Sequence, residues 1–151
     1  MVIPPDPHGL HRSRLPRDRS GITHRFKLGG LKGYVTVNEV DRDGRRVPAE
    51  LFMWIAKEGS TLGVLANSVA MLTSICLQYG VPLQVLCAKF IGLRFEPEGH
   101  VEAKRGVKRE IKYADSFLDY VFHWIALRYL GDAWILKTMG DKWVETHGAD
   151  K

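Results

Sequence analysis

Two helices joined by a glycine and a proline constrain the fold of this chain more than any other feature. Ser60 is a suitable N-cap, because its hydroxyl can accept a hydrogen bond from a free amide two or three residues on. Gly80 stands where a left-handed C-cap belongs, and Pro82 suits the first turn of a following helix. The pattern predicts one helix from Ser60 to about Tyr79 and a second that ends near Gly92.

Both helices are predicted to be amphipathic. In the first, apolar residues recur at helical spacing, namely Leu62, Leu65, Val69, Leu72 and Cys76, with Ala66, Ile75 and Tyr79 widening the stripe. In the second, the apolar residues are Leu83, Leu86, Cys87 and Phe90. Such a stripe faces the core in a globular domain, so these residues are predicted to pack inward.

Three segments before the helices predict a small antiparallel sheet. Thr23 to Leu28 alternates weakly between apolar and polar residues, and Lys32 to Val40 alternates more clearly. Asp41 to Gly44 is a hairpin turn, since Asp and Gly tolerate positive φ. The third segment, Glu50 to Ala56, is apolar on both faces. We therefore expect it to be central in the sheet or covered by a helix.

Further helices are predicted towards the C-terminus. Residues 96–112 are the most polar internal stretch and indicate an exposed loop. A third helix follows from about Tyr113 to Leu130, with Asp115 and Asp119 in its first turns as caps, where carboxylates favour the positive helix end. A short tail helix is predicted from Trp134 to Val144. Strands followed by helices indicate the α+β class, with a small antiparallel sheet of about three strands packed against three or four helices.

Length and composition favour one globular domain. The 151 residues are 45% hydrophobic and 26% charged, a balance that supports a real core. Residues 1–20 are rich in proline and arginine and are predicted to be a flexible basic arm, whereas residues 21–151 form a single α+β domain. No apolar run approaches the ~20 residues that cross a bilayer, and the N-terminus lacks the apolar core of a secretory signal. We expect a cytoplasmic protein without a membrane partner.

The net charge of +5 is concentrated near the N-terminus. Residues 1–33 hold seven basic and two acidic side chains, and the remainder is neutral. A basic arm on a neutral body can bind RNA, DNA or an acidic partner, or it can be a solvated tail that keeps the protein soluble. The nucleic-acid hypothesis depends on Arg12, Arg14, Arg17, Arg19 and Arg25.

No catalytic or metal-binding constellation is predicted. Cys76 and Cys87 lie in apolar helices without the spacing of a zinc or redox motif, and they are interpreted as small core residues. The six histidines are scattered, and His123 is interpreted as a satisfied packing residue within the third helix. We expect no catalytic residue and no metal ligand in this chain.

One helix end and one corner are candidates for binding. Gly59 and Ser60, preceded by Lys57, lie at the positive end of the first helix, where an anion can bind. The alternative is a capped helix start with a solvated lysine. Arg94 lies in a corner that is either a salt-bridged turn or a partner contact. The candidate ligand- or partner-binding residues are Lys57, Gly59, Ser60, Gln78, Tyr79 and Arg94.

The chain from about Arg14 to Leu130 resembles the region that follows the catalytic barrel in adenosylcobalamin-dependent (class II) ribonucleotide reductases, a region that overlaps the TSCPD-type domain. The resembling segments are Lys32 to Thr36, Glu50 to Phe52, Ala56 to Leu62, Leu77 to Leu83, Lys89 to Phe90, Arg94 to Gly99 and Ala114 to Phe122. They occur in the same order and cover about three quarters of the chain. The resemblance implies a shared fold for this region.

The same resemblance implies that the family's radical chemistry belongs elsewhere. That reaction needs a thiyl-forming cysteine, a reducing cysteine pair and adenosylcobalamin in a large barrel, and the barrel is not within these residues. No catalytic residue is therefore assigned, no cofactor is expected on this chain alone, and adenosylcobalamin belongs to a partner barrel. We expect a non-catalytic accessory module that binds a reductase large chain or a second copy of itself. The alternative is a nucleic-acid- or nucleotide-binding protein that uses the basic arm and the Lys104 to Lys112 loop.

Overall fold

The computed structural model describes residues 8–56, 60–102 and 111–148. Within them the chain forms a three-stranded antiparallel sheet, a separate two-stranded sheet and five helices, which confirms the α+β class. The elements in chain order are β1 (Ser20–Leu28), β2 (Leu31–Arg42), β3 (Arg45–Ile55), α1 (Thr61–Gln78), α2 (Leu83–Phe90), β4 (Gly99–His100), β5 (Tyr113–Ala114), α3 (Phe117–Tyr129), α4 (Asp132–Met139) and α5 (Asp141–His147).

The predicted hairpin is present and joins the two longest strands. Asp43 and Gly44 form its turn with φ values of 52° and 79°, as a tight hairpin requires. The strand order is β1-β2-β3, so β3 is an edge strand. Of the two alternatives expected for it, a central position and cover by a helix, only the second holds. Its inner face is covered by α1, but Phe52 and Trp54 on its outer face are 48% and 43% exposed.

Polar side chains of α1 cover the edge of β3. The Ser74 hydroxyl accepts a hydrogen bond from the Leu51 amide at 2.8 Å and lies 3.1 Å from the Leu51 carbonyl oxygen, to which it can donate. The Gln78 amide nitrogen donates to the Ala49 carbonyl at 3.1 Å. An edge strand presents backbone groups that would otherwise need water or another strand. The helix supplies those partners from its own side chains.

Replacing Ser74 tests this edge contact. Ser74→Ala leaves the buried Leu51 amide without its acceptor, so we expect a loss of about 1–3 kcal/mol in the free energy of unfolding. Ser68→Ala is the matched control, because the Ser68 hydroxyl lies on the same helix and donates to the Val64 carbonyl at an exposed position. Urea denaturation of both variants measures the difference. Equal stability of the two variants would contradict this account of the edge.

Helix α3 closes the core over β1 and α2. Its Tyr120 ring lies 4.9 Å from that of Phe26, and the Tyr120 hydroxyl is 2.7 Å from the His24 Nε2. Its Phe122 ring stacks 4.5 Å from that of Phe90 on α2. One continuous apolar cluster therefore joins the inner sheet face with the helices.

The third helix begins later than predicted. Ser116 is its N-cap and accepts a hydrogen bond from the Asp119 amide at 3.0 Å, so the helix starts at Phe117 and not at Tyr113. Tyr113–Ala114 instead pairs with Gly99–His100 in the two-stranded sheet, which the sequence did not predict. The rest of the expected polar loop includes residues 103–110, which lie outside the described residues.

The tail predicted as one helix is two short helices. Gly140 separates α4 from α5 with a φ of 85°, a conformation that favours glycine and interrupts helical hydrogen bonding. The division into an arm and a single domain stays a prediction. Within residues 8–20, the Ser13 amide donates to the Gln78 carbonyl at 2.9 Å, which ties this segment to the end of α1.

Candidate functional site

Helix α1 confirms only part of the predicted inward stripe, since Ala66 is buried and Leu62 and Val69 are partly buried against the core. Its buried residues, which apart from Leu77 are small or polar, are Ala66, Ala70, Thr73, Ser74, Leu77 and Gln78. The predicted inward stripe was wrong for Leu65 and Leu72, which are 58% and 63% exposed. The small residues let the helix approach β3, and Ser74 and Gln78 bond to it. Leu77 is buried and Leu62 and Val69 pack partly against the core, whereas the more exposed aliphatic residues face out. We call Val64, Leu65, Met71, Leu72 and Tyr79 the outer α1 surface.

The outer α1 surface has the composition and spacing of a helix-packing face. No charged residue occurs between Thr61 and Ala88. Leu65, Leu72 and Tyr79 follow one another at intervals of seven residues, as do Val64 and Met71, and such heptad spacing keeps side chains on one seam of a helix. Exposed apolar patches of this kind mark interaction sites. The surface can bind an apolar partner by burial, at roughly 25 cal/mol per Å².

By length and composition alone, α1 would suffice to cross a membrane, and it is the one such helix in the described part of the chain. That test is also passed by core helices of globular proteins. Here the hydrogen bonds from Ser74 and Gln78 hold α1 against the edge of β3. The apolar character of the helix is accounted for by its outer surface.

Two of the predicted binding residues take part in capping and in this surface. The Ser60 hydroxyl accepts a hydrogen bond from the Gly63 amide at 3.1 Å, so Ser60 is the N-cap of α1 as predicted. Tyr79 is the C-cap and is 40% exposed. Lys57 and Gly59 lie outside the described residues, so the anion-binding hypothesis for this helix end stays a prediction.

Gln78 joins the N-terminal segment to α1. Its side-chain oxygen accepts a hydrogen bond from the Arg12 Nε at 2.6 Å. Arg19 forms an ion pair with Glu50 at 3.2 Å. Two of the arginines proposed to bind nucleic acid are therefore engaged within the chain.

The remaining arginines of that hypothesis are exposed. They are Arg14, Arg17 and Arg25. Arg25 differs from the other two because it lies within β1, on the outer face of the sheet. Arg12, Arg14 and Arg19 line one cavity, together with Glu50 and Gln78.

Arg94 forms a salt-bridged corner. Its guanidinium lies 3.3 Å from Glu98 and 3.1 Å from Asp115, although the side chain is 68% exposed. The hydrogen bond with Asp115 raises the pKa of Arg94. The corner thus links the segment after α2 to the start of α3. Nothing in its geometry joins it to Gln78 or Tyr79 in one site.

A buried polar cluster was missed by the sequence analysis. Asp115, Asp119 and His147 place their ligand atoms within 4.8 Å of one another, as a metal site would. Asp119 accepts hydrogen bonds from the Gly92 amide at 2.7 Å and the Asp115 amide at 2.8 Å. Asp115 contacts His147 Nε2 at 3.0 Å as well as Arg94. Each carboxylate oxygen has one partner within the chain, so these contacts connect the segment after α2 with the start of α3 and the end of α5. Burial raises the pKa of Asp119.

His123 and Trp143 lie beside this cluster. Both are packed against each other, with ring centroids 4.8 Å apart. The His123 Nδ1 and the Trp143 Nε1 are buried without a hydrogen-bond partner among the described residues, so His123 is a packing residue but not a satisfied one. Burial lowers the pKa of His123 to about 3. The imidazole is therefore neutral near pH 7.

The cysteines are free, as expected. Cys87 is fully buried in the core, and burial raises the pKa of its thiol to about 12. Cys76 is half-buried on α1. A thiol with so high a pKa is a poor nucleophile near neutral pH, which agrees with a packing role for Cys87.

Comparison with known proteins supplies the family. The sequence pattern described as the TSCPD domain matches residues 9–129, which is most of the chain. The chain belongs to the TSCPD domain family. This TSCPD domain comprises the sheet and helices α1 to α3, whereas α4, α5 and therefore His147 lie beyond the matched residues.

The relatives that match this chain are much longer proteins. The chain is 42% identical over 119 residues to a vitamin B12-dependent ribonucleotide reductase of Rhodopirellula baltica, covering 79% of this chain and 11% of that protein. It is 40% identical over 119 residues to the vitamin B12-dependent ribonucleotide reductase of Streptomyces coelicolor, covering 79% of this chain and 12% of that protein. The TSCPD domain thus spans about a tenth of the length of these relatives. No solved structure is significantly similar to the chain.

Proposed function

We propose that this chain is an accessory module that docks onto a vitamin B12-dependent ribonucleotide reductase through the outer α1 surface. It contributes to the assembly of that enzyme, and hence to deoxyribonucleotide synthesis in the cytoplasm, without catalysing a reaction itself. The observation that carries the proposal is the exposed aliphatic side of α1, on which Leu65 and Leu72 are more than half exposed.

Two further facts support this proposal. The relatives that contain this region are named as vitamin B12-dependent ribonucleotide reductases. The region makes up 11% of the Rhodopirellula baltica protein, 12% of the Streptomyces coelicolor protein and 9% of the Bradyrhizobium diazoefficiens protein. A region of a large enzyme contacts the rest of that enzyme, so a similar region in a separate chain would retain the contact surface. Aliphatic side chains without charge suit such a contact, since charged groups are depleted at the core of interfaces.

The chemistry of a reductase is assigned to the partner. Cys87 is a buried thiol with a raised pKa, and Cys76 lies on another helix without a cysteine beside it in sequence. Adenosylcobalamin and the radical-forming residues would therefore be supplied by the reductase chain in the complex.

Substitution of Leu72 tests the docking surface. Leu72→Glu places a carboxylate in the proposed interface, so we expect binding to a purified vitamin B12-dependent ribonucleotide reductase to weaken about tenfold or more. Leu72 is 63% exposed, so the variant is expected to fold. Thr138→Glu is the control, because Thr138 is exposed on α4 and not on α1. Size-exclusion chromatography with light scattering measures the complex.

The same measurement distinguishes a reductase from a second copy of this chain as the partner that binds the outer α1 surface. A chain that forms no complex with the reductase, or a Leu72→Glu variant that binds as well as the Thr138→Glu variant, contradicts the proposal. A homodimer that Leu72→Glu dissociates would show that a second copy occupies the surface instead. The reductase should be used both as the full-length protein and without its own segment that aligns with this chain, because that segment can compete for the site.

A further inference from the structure

The outer face of the three-stranded sheet carries aromatic and basic side chains in register. Arg25 on β1, Tyr34 on β2 and Trp54 on β3 are paired across the sheet in one row. On the same face, Thr23, Thr36 and Phe52 form the neighbouring row on one side of it, and Lys27 pairs with Lys32 in the neighbouring row on the other side. We call Arg25, Lys27, Lys32, Tyr34, Phe52 and Trp54 the aromatic sheet face.

The three aromatic rings of this face are accessible. Tyr34, Phe52 and Trp54 are 39%, 48% and 43% exposed. The Tyr34 and Trp54 rings lie 5.6 Å apart, and Phe52 stands on the same face two residues before Trp54. Side chains at i and i+2 on a strand are about 7 Å apart, so Phe52 and Trp54 can each meet a different flat group.

The charged side chains beside these rings, Arg25, Lys27 and Lys32, are basic. Among the described residues, neither Arg25 nor Lys32 lies within ion-pair distance of a carboxylate, and Lys27 has only a contact of 3.8 Å with Glu102. The nearest carboxylate in the strand register is Glu50, two rows from Trp54, and it is engaged by Arg19 and Asn38. The face therefore offers positive charge and exposed rings together.

We propose that the aromatic sheet face binds single-stranded nucleic acid. Bases stack on Tyr34, Phe52 and Trp54, while phosphates lie against the cations of Arg25, Lys27 and Lys32. Stacking platforms flanked by basic groups are the usual means of binding unpaired strands, because each base has a flat face and each linkage a negative charge. The major groove of a duplex admits a two-stranded ribbon, and this sheet has three strands. Unpaired bases are therefore the expected ligand.

This site differs from both surfaces considered earlier. The outer α1 surface has no charge and suits an apolar polypeptide, whereas the aromatic sheet face combines rings with cations. It also differs from the basic arm, since Arg12 and Arg19 are engaged by Gln78 and Glu50. Arg25 is the one arginine of that earlier hypothesis that belongs to the new site.

Fluorescence anisotropy with a labelled oligothymidylate of about 20 nucleotides tests the stacking part. Tyr34→Ala should weaken binding at low salt about 5- to 150-fold, as expected for the loss of one stacked base. Tyr79→Ala is a matched control, because Tyr79 is 40% exposed but lies at the end of α1. Phe52→Ala is a second variant at an exposed position, so a folding defect in one variant does not decide the test. Absence of binding, or equal effects of Tyr34→Ala and Tyr79→Ala, would overturn the proposal.

The salt dependence tests the phosphate contacts. Each phosphate neutralised on a single strand contributes about 0.7 to the slope of log affinity against log salt. Arg25→Ala should therefore lower the slope by about 0.7, and the exposed Arg45→Ala at the hairpin should leave it unchanged. Equal losses from both arginines would indicate unspecific attraction to a positive protein and reject the site. These assays contain no reductase, so a failure to bind oligonucleotide does not contradict docking through α1. Likewise, a failure to bind the reductase does not contradict nucleic-acid binding on the aromatic sheet face.

Discussion

Acidification from pH 7.5 to pH 5 is expected to remove on the order of 2 kcal/mol of stability through His123 alone. Burial lowers the pKa of His123 in the folded chain to about 3, compared with 6.5 for an unperturbed imidazole. The unfolded chain binds a proton at His123 below pH 6.5, and the folded chain does not. The stabilising contribution is therefore present above pH 6.5 and is lost as the pH falls towards 3.

His123→Phe removes this titration while keeping a ring against Trp143. The variant should lose about 2 kcal/mol less than the unmodified chain between pH 7.5 and pH 5, as measured by urea denaturation at both values. At pH 7.5 it should be at least as stable, because the His123 Nδ1 has no hydrogen-bond partner among the described residues. His11→Phe, on the exposed N-terminal segment, is the control. The same acid sensitivity in both variants would show that His123 is not the group responsible.

Loss of Asp119 should have the largest effect of any single substitution considered. Both carboxylate oxygens of this fully buried residue accept backbone hydrogen bonds, from Gly92 after α2 and from Asp115 before α3. Asp119→Ala leaves two buried amides without acceptors, so the expected cost is about 2–5 kcal/mol. Asp119→Asn retains one acceptor oxygen, so its free energy of unfolding should lie between those of the unmodified chain and the Asp119→Ala variant. Asp18→Ala, at an exposed position, should change the free energy of unfolding by less than about 0.5 kcal/mol.

The pH dependence of the Asp119 variants gives an independent check. Burial raises the pKa of Asp119, so its contribution to stability is present below its unfolded value of 3.8 and is lost as the pH rises through the raised folded value. This dependence opposes that of His123. Asp119→Asn should therefore make the chain more sensitive to acid, whereas an Asp119→Asn variant that is less sensitive would contradict the assigned direction.

The sequence predicted the elements that depend on local chemistry. The hairpin at Asp43 and Gly44, the N-cap at Ser60 and the break at Gly80 follow from the preferences of single residues, and the structure confirms them. The resemblance to the ribonucleotide reductase region also agrees with the family found by comparison. These features need no knowledge of what each element packs against.

The direction in which α1 faces could not be predicted in this way. Its apolar stripe is a sound indicator of a helix, but periodicity does not say whether a stripe meets the core or solvent. What decides it is the edge of β3, which needs hydrogen-bond partners and obtains them from Ser74 and Gln78. The cluster around Asp115 was missed for a related reason, because His147 is 32 residues away in sequence.

The way in which Ser74 and Gln78 occupy the margin of β3 limits how copies of this protein can associate. Three backbone groups of this edge, the amide and the carbonyl of Leu51 and the carbonyl of Ala49, lie within hydrogen-bond distance of those side chains, which hinders the pairing of a further strand at this part of β3. At the opposite margin, the amide of Glu102 bonds to the carbonyl of Lys27, which hinders lateral growth from that end of β1 as well. Complexes formed through side chains of α1 should accordingly be finite, with a fixed stoichiometry, and should dissociate without unfolding.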